Sequence, residues 1–375
     1  MGEARQGERR QAELKPFRLE VPDAALADLR ERLKRTRFPD EAPGAPWKTG
    51  TSLAYLKDLL QYWQSGFDWR AQEARINAYP QFKVPLDGIE LHFLHVPSKK
   101  AGAMPLLLAH GWPGSIVEFL ELIPRLTDHF TIVAPSLPGY TLSFAPNQKR
   151  FGVEEIAASF IKLMTEVLGY RRFGTQGGDW GAFITSRMAA VRPELFTGLH
   201  LNYLTVPRDK SDDPDWQAQL ADWVKERSAY SMIQGTRPQT LAYGLTDSPA
   251  GLAAWIAEKF HAWTDNDGSI ESAIARDDLL ANIALYWFTG AIGSSFWNYY
   301  ARTHGPWPVP FPVTVPTAYA SFPKEILRPP RAVAEKHYTN IKRWSVMSKG
   351  GHFAALEQPE SLARDITAFF AEASA

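Results

Sequence analysis

The stretch FGTQGGDWGAFITSRMAAV, residues 173–191, decides how the rest of the chain is read. It opens as a short β-like run, breaks at Gly177 and Gly178, presents a single carboxylate, Asp179, and resumes after Gly181 as an apolar helix. Glycines on both sides are what a strand-to-helix turn needs when backbone must pass close beneath a residue held at positive φ. Two readings of Asp179 compete here. In one it is a helix N-cap, its carboxylate accepting backbone N–H bonds at the positive end of the helix dipole. In the other it is a reactive group displayed at the apex of the turn.

Composition narrows the field. The chain has 375 residues, with Lys plus Arg and Asp plus Glu both at 41, so no global charge points to nucleic acid or an anionic membrane. It has no cysteine, which excludes a disulfide framework, a thiol nucleophile and thiolate metal sites, and fits a cytoplasmic setting. Residues 1–15 are polar and charged, reading as a flexible tail and not as a signal peptide or membrane anchor. No later stretch has the uninterrupted apolar length of a spanning helix, and there is no internal repeat.

Outward from residue 173 the pattern is strand, loop, helix, repeated. Residues 105–109 form a buried strand ending in His110-Gly111-Trp112-Pro113-Gly114-Ser115, with a helix expected over 116–126; residues 131–135 form a strand and 153–168 a helix; another strand begins at 199–201. This argues for an α/β fold with a mostly parallel, doubly wound sheet. Before it, Asp23 can cap a helix with Leu26, Leu29 and Leu33 on one face, and Leu53, Leu56, Leu60 and Trp63 mark a second. A proline-rich link over 38–47 is expected to be extended, and Asp87-Gly88 turns into a strand at 89–96. After it, 205–303 is rich in helical runs (216–227, 252–260, 279–289) without strands and reads as an inserted helical lid. Strands return at 313–320 and 341–347, followed by an amphipathic helix over 360–370.

The last strand leads to Ser348-Lys349-Gly350-Gly351-His352-Phe353. A glycine-framed apex residue between strand and helix is a nucleophile elbow, and in that architecture the chain order is nucleophile, acid, histidine. His352 is then the base. Glu325 is the first carboxylate after the 313–320 strand and the best orienter for it, although alone it reads as a surface helix-start glutamate. Trp112, in the loop after the central strand, and Trp180, after the apex, would supply the oxyanion-hole N–H groups. His110 reads as a residue that bonds loop backbone. A carboxylate at the apex needs no base to become a nucleophile. It can displace a leaving group at sp³ carbon, after which the histidine activates water against the resulting ester. A halide would need only N–H donors to leave, whereas an epoxide oxygen needs a proton, which a phenol can give. Tyr230, Tyr243, Tyr286, Tyr299 and Tyr300 are the candidates.

Together these motifs resemble the epoxide hydrolases of the microsomal and juvenile-hormone type, within the α/β-hydrolase superfamily, over nearly the whole chain from Pro16. His110 to Ser115 matches the family's oxyanion motif, Gly177-Gly178-Asp179-Trp180-Gly181 its nucleophile motif, and Gly350-Gly351-His352-Phe353-Ala354-Ala355-Leu356-Glu357 its histidine motif. The resemblance implies an N-terminal meander over 16–99, core segments at 100–204 and 304–375 around the lid, a cis peptide before Pro113, and Glu325 as the acid. It implies Tyr230 and Tyr299 as the pair that polarises the epoxide, with Tyr300 in reserve. The activity it implies is conversion of an epoxide to a vicinal diol through an ester on Asp179, with no cofactor and no metal. The partner is a small-molecule epoxide, which the many lid tryptophans suggest is bulky and apolar or aromatic, with no nucleic acid and no membrane anchor; a homodimer is one option for an oligomeric state that the sequence leaves open. Two alternatives stand beside this. A haloalkane dehalogenase would use the same aspartate, with the Trp180 indole binding halide; against it, Trp112 occupies a position where many dehalogenases place asparagine. A non-catalytic ligand-binding relative would leave a complete triad unexplained.

Overall fold

A computed structural model of the chain describes residues 14–207 and 213–373. Most of the expected tail, residues 1–13, lies outside the described residues. The strands are β1 Lys15–Pro16, β2 Gln81–Leu86, β3 Ile89–Val96, β4 Met104–Ala109, β5 Phe130–Pro135, β6 Phe173–Gly177, β7 Phe196–Leu201, β8 Thr317–Ser321 and β9 Ile341–Val346. They form one sheet in the order β1-β2-β3-β5-β4-β6-β7-β8-β9. The pairings from β1 through β3 to β5 are antiparallel and all the others parallel. The protein therefore has a mixed, mostly parallel α/β sheet.

Leu106, Leu107 and Leu108 of β4 are fully buried, as expected for a central parallel strand covered on both faces. From β4 the chain goes to β5 on one side and returns to β6 on the other. That reversal leaves a crevice beyond the carboxyl ends of β4 and β6, where open α/β sheets bind ligands. The two loops that open there carry residues 110–115 and 178–179. At the far end of the sheet, β2 and β3 join through Asp87 (φ 51°) and Gly88 (φ 88°), both in the left-handed region that a two-residue hairpin turn requires.

Several expected elements shift for identifiable reasons. Asp23 is the first residue of helix Asp23–Lys34, not its cap; Pro22 holds the cap position with no side-chain bond, and Asp23 instead pairs with Arg70. The face of Leu26, Leu29 and Leu33 is buried as expected. The helix expected over 116–126 splits into a 3₁₀ turn, Ile116–Phe119, and a short α-helix, Ile123–Leu126, since Pro124 lacks an N–H and fits only a first turn. The strand expected over 313–320 shortens to β8; Val313 forms only an isolated bridge to Tyr338, and Pro316 cannot donate to a ladder. The 38–47 link ends in a turn with Trp47 at φ 66°. The helices over 153–168 and 216–227 each finish in a π-helical turn, Leu163–Val167 and Trp223–Arg227. Strand β2 was obscured by Pro85, which is tolerated because β1 pairs only with Phe82 and Lys83.

Between β7 and β8 the described residues contain helices and no strand. Those used below are Ala229–Thr236, Pro249–Trp263, Arg276–Thr289 and Trp297–His304. No single helix among the described residues is long and apolar enough to cross a membrane.

Helix Asp179–Val191 lies so close to β4 that a Cβ on Gly181 would stand 1.9 Å from the Ala109 carbonyl oxygen. Gly181→Ala should destabilise the protein by about 1–3 kcal/mol or more, as overpacking does. An unchanged thermal midpoint would contradict this close approach.

Candidate active site

Strand β6 ends at Gly177, and Asp179 opens the following helix at φ 46°, a conformation that costs a non-glycine residue about 1–3 kcal/mol. The cap position falls on Gly178, so Asp179 is the first residue of the helix and not its cap. Oδ1 of Asp179 accepts a bond from the Trp112 backbone N–H at 2.8 Å, and Oδ2 lies 3.4 Å from Nε2 of His352. The Trp180 amide sits in the helix's first turn, among the N–H groups that have no intrahelical partner.

The loop after β4 is shaped to bring Trp112 to that carboxylate. A Cβ at Gly111 would lie 2.3 Å from Asp179 Oδ1, so only glycine permits the approach. The Trp112–Pro113 peptide is cis, as the resemblance implied. His110 is fully buried; its Nε2 accepts the Leu137 N–H at 3.2 Å, leaving Nδ1 to donate to the Gly111 carbonyl at 3.0 Å. Burial lowers its pKa to about 4, which keeps the ring neutral in this backbone-bonding role.

His352 stands in the loop after β9, and its Nδ1 lies 2.6 Å from Oε1 of buried Glu325, which follows β8. The order Asp179, His352, Glu325 is thus continuous in space. Burial alone would push the imidazole pKa down, but Glu325 and Asp179 on its two sides outweigh burial and hold it well above the ordinary histidine value. Both neighbours favour the protonated form of the ring. Its loop is fixed to the end of helix Pro249–Trp263: the His352 N–H donates to the Trp263 carbonyl at 2.8 Å, the Gly350 N–H to Asp265 Oδ2 at 2.9 Å, and the Asp265 N–H to Glu357 Oε2 at 2.7 Å.

Of the five candidate tyrosines, two face Asp179. Tyr230 and Tyr299 are both buried, with ring centroids 5.8 Å apart. Tyr230 stacks on the Trp112 indole at 5.5 Å, and Tyr299 meets Trp180 edge-on at 4.8 Å. Burial, with Tyr230 and Asp179 adding to it, holds the Tyr299 phenol well above its usual pKa, so it keeps its proton at neutral pH. The other three are elsewhere. Tyr243 is 71% exposed, Tyr286 donates to the Gly114 carbonyl at 2.7 Å, and Tyr300 stacks on Trp297 and His304.

Two small cavities meet at Asp179, each of about 20 Å³. One is largely aromatic, with Trp180, Phe183, Tyr203, Trp223, Tyr230 and Tyr299 in its wall. The other has none of these aromatic residues in its wall and includes the polar side chains of Glu118, Gln176, Asn202 and His352. Asp179 is the only lining residue they share. Glu118, Gln176 and Asn202 escaped sequence reasoning. Ser115-Ile-Val-Glu118 has the spacing of a capping box, which could have placed Glu118 at the third position of a turn but not beside a cavity.

Because Glu325 holds the proton on His352, Glu325→Gln should lower the imidazole pKa by about 1–3 units. A histidine NMR titration reads this directly, and an unshifted His352 would contradict the assigned electrostatics.

Comparison with known proteins agrees with this geometry. A family model for the epoxide hydrolase N terminus matches residues 14–119, and one for the alpha/beta hydrolase fold matches residues 104–232. The chain is 38% identical to epoxide hydrolase 1 of Oryctolagus cuniculus, covering 95% of this chain and 88% of that protein. It is 34% identical to juvenile hormone epoxide hydrolase 2 of Ctenocephalides felis, covering 94% and 84%. The crystal structure of juvenile hormone epoxide hydrolase from Bombyx mori superposes with a TM-score of 0.86 at 32% identity, covering 97% of this chain and 95% of that one. That of Aspergillus niger epoxide hydrolase gives 0.85 at 30% identity, with 97% of each chain covered. With sequence, fold and site in agreement, the chain belongs to the epoxide hydrolase family of α/β-hydrolase enzymes.

Proposed function

We infer that the enzyme converts an epoxide to a vicinal diol in two covalent steps at Asp179. The observation that carries this reading is the placement of one carboxylate between a buried imidazole on one side and two buried phenols on the other. An Asp179 oxygen attacks an oxirane carbon, the carbon–oxygen bond of the ring breaks, and the expelled oxygen takes a proton from Tyr230 or Tyr299. Ester formation cancels the negative charge on Asp179. His352 then keeps only Glu325 as a partner and burial favours its neutral form. The proton it sheds is the one the phenolate needs back.

The neutral imidazole removes a proton from water, whose oxygen bonds to Cγ of the ester. The Trp112 and Trp180 amides hold the resulting oxyanion, each such donor being worth roughly 3 kcal/mol. Collapse breaks the acyl carbon–oxygen bond, the departing diol takes the proton from His352, and the proton left on the regenerated carboxyl returns to the imidazole. One water is consumed and the starting ionisation is restored.

The phenols also discriminate against dehalogenation, since a departing halide needs no proton. The aromatic cavity over Asp179 accommodates little beyond the reacting ring. A wider cavity of about 520 Å³, lined largely by polar and charged side chains such as Asp222, Arg227, Lys324 and Arg328, shares Trp223 and Ile326 with it.

Asp179→Ala should abolish turnover without moving the thermal midpoint downward. Tyr230→Phe and Tyr299→Phe should each slow ring opening by about 100-fold or more. His352→Gln should open one epoxide and stop as the ester. Mass spectrometry of the peptide containing Asp179 tests this last outcome, and the two-step scheme fails if that peptide gains no mass after exposure to epoxide.

A further inference from the structure

The cavity behind Asp179, on the side away from the tyrosines, has the size and lining of a site for one water. Its volume of about 20 Å³ exceeds the roughly 10–15 Å³ that a single water needs. Gln176 is 2% exposed and lines the cavity; its Nε2 donates to Asn202 Oδ1 at 2.6 Å, while its Oε1 is buried with no protein partner among the described residues. His352 lines the same cavity, and so does Asp179, which also lines the aromatic cavity.

Glu118 forms another part of that wall. It belongs to the 3₁₀ turn Ile116–Phe119, capped by Ser115, and a Cβ at Gly114 would collide with its carboxyl oxygen, so the loop glycine leaves room for this side chain. The charges of His352 and Asp179 act on it, and it acts in turn on Tyr286 of the helix packed over the loop. Burial, which His352 only partly offsets, raises its pKa to about 8. At neutral pH it is a carboxylic acid, able to donate one hydrogen bond and accept another.

We propose that Glu118, together with Gln176, positions the hydrolytic water in this rear cavity, so that the second step draws its water from the face of Asp179 opposite the epoxide. The water has donors and acceptors on the Glu118 carboxyl, the Gln176 carbonyl and the imidazole of His352. Only the imidazole takes a proton from it; Glu118 and Gln176 orient its oxygen toward Cγ. The proposal rests on the two-step reading above, yet concerns one step only.

Rapid-quench single turnovers with excess enzyme and a styrene-type epoxide separate ester formation from ester decay. Glu118→Leu should leave ester formation within about threefold and slow ester decay by about 100-fold, the scale that misplacing a reactant costs. Glu118→Gln, which keeps a donor and an acceptor but cannot ionise, should restore decay to near the wild-type rate. A role confined to capping the turn would slow both steps together, and that result, or wild-type decay in Glu118→Leu, overturns the proposal. Should Glu118→Leu fail to fold, Gln176→Leu carries the same test from the other wall, with decay slowed at least tenfold expected and equal slowing of both steps contradicting it. Failure of the function itself would look different, because no ester would form in any variant, His352→Gln included.

Discussion

A carboxylate is held at the tip of a strained turn with a different chemistry on each of its faces. Asp179 is kept at positive φ by the close packing of helix Asp179–Val191 on β4, where Gly181 meets the Ala109 carbonyl without an intervening Cβ. Released from that conformation, the side chain could bond its own helix's N–H groups as an ordinary cap does. Held in it, the carboxylate instead meets the Trp112 amide and the His352 imidazole. The remaining architecture places partners around this point: the loops after β4, β8 and β9 from the sheet, and the tyrosine-bearing helices from the segment between β7 and β8.

Charge on Asp179 links the two faces. While it is ionised, His352 sits between Asp179 and Glu325, which both favour its protonated form. In the proposed mechanism, once that charge is consumed in an ester the imidazole loses the support of Asp179 and gives up its proton more readily. The phenols act first in that mechanism, and the histidine takes a proton from water only once the ester exists. The hydrogen bonds among Trp263, Asp265, Glu357 and the histidine loop tie that loop to the helical segment that carries Tyr230.

Much of this was legible in the sequence because the relevant signals are local. Gly177, Gly178 and Gly181 around Asp179 mark a turn whatever the rest of the fold, and the glycine-framed His352 does the same after a strand. The three leucines of β4 mark a buried central strand. What could not be read depends on atoms distant in sequence. Nothing local separates Tyr286, which bonds the Gly114 carbonyl, from Tyr299, which faces Asp179, since both lie in aromatic-rich helices. Glu118 shows the spacing of a capping residue, and its second surroundings arise only when β6, β7 and the loop after β9 converge beside it. Prolines caused the misplaced boundaries: Pro124 split a helix, Pro316 delayed β8, and Pro85 hid a strand that tolerates it.

The path of oxygen distinguishes covalent chemistry at Asp179 from direct attack of water on the epoxide. With enzyme in excess over epoxide in ¹⁸O-labelled water, the first diol should carry no label, and the label should appear in the Asp179 carboxylate of the recovered protein. A first-turnover diol that carries solvent ¹⁸O while Asp179 remains unlabelled would contradict the account.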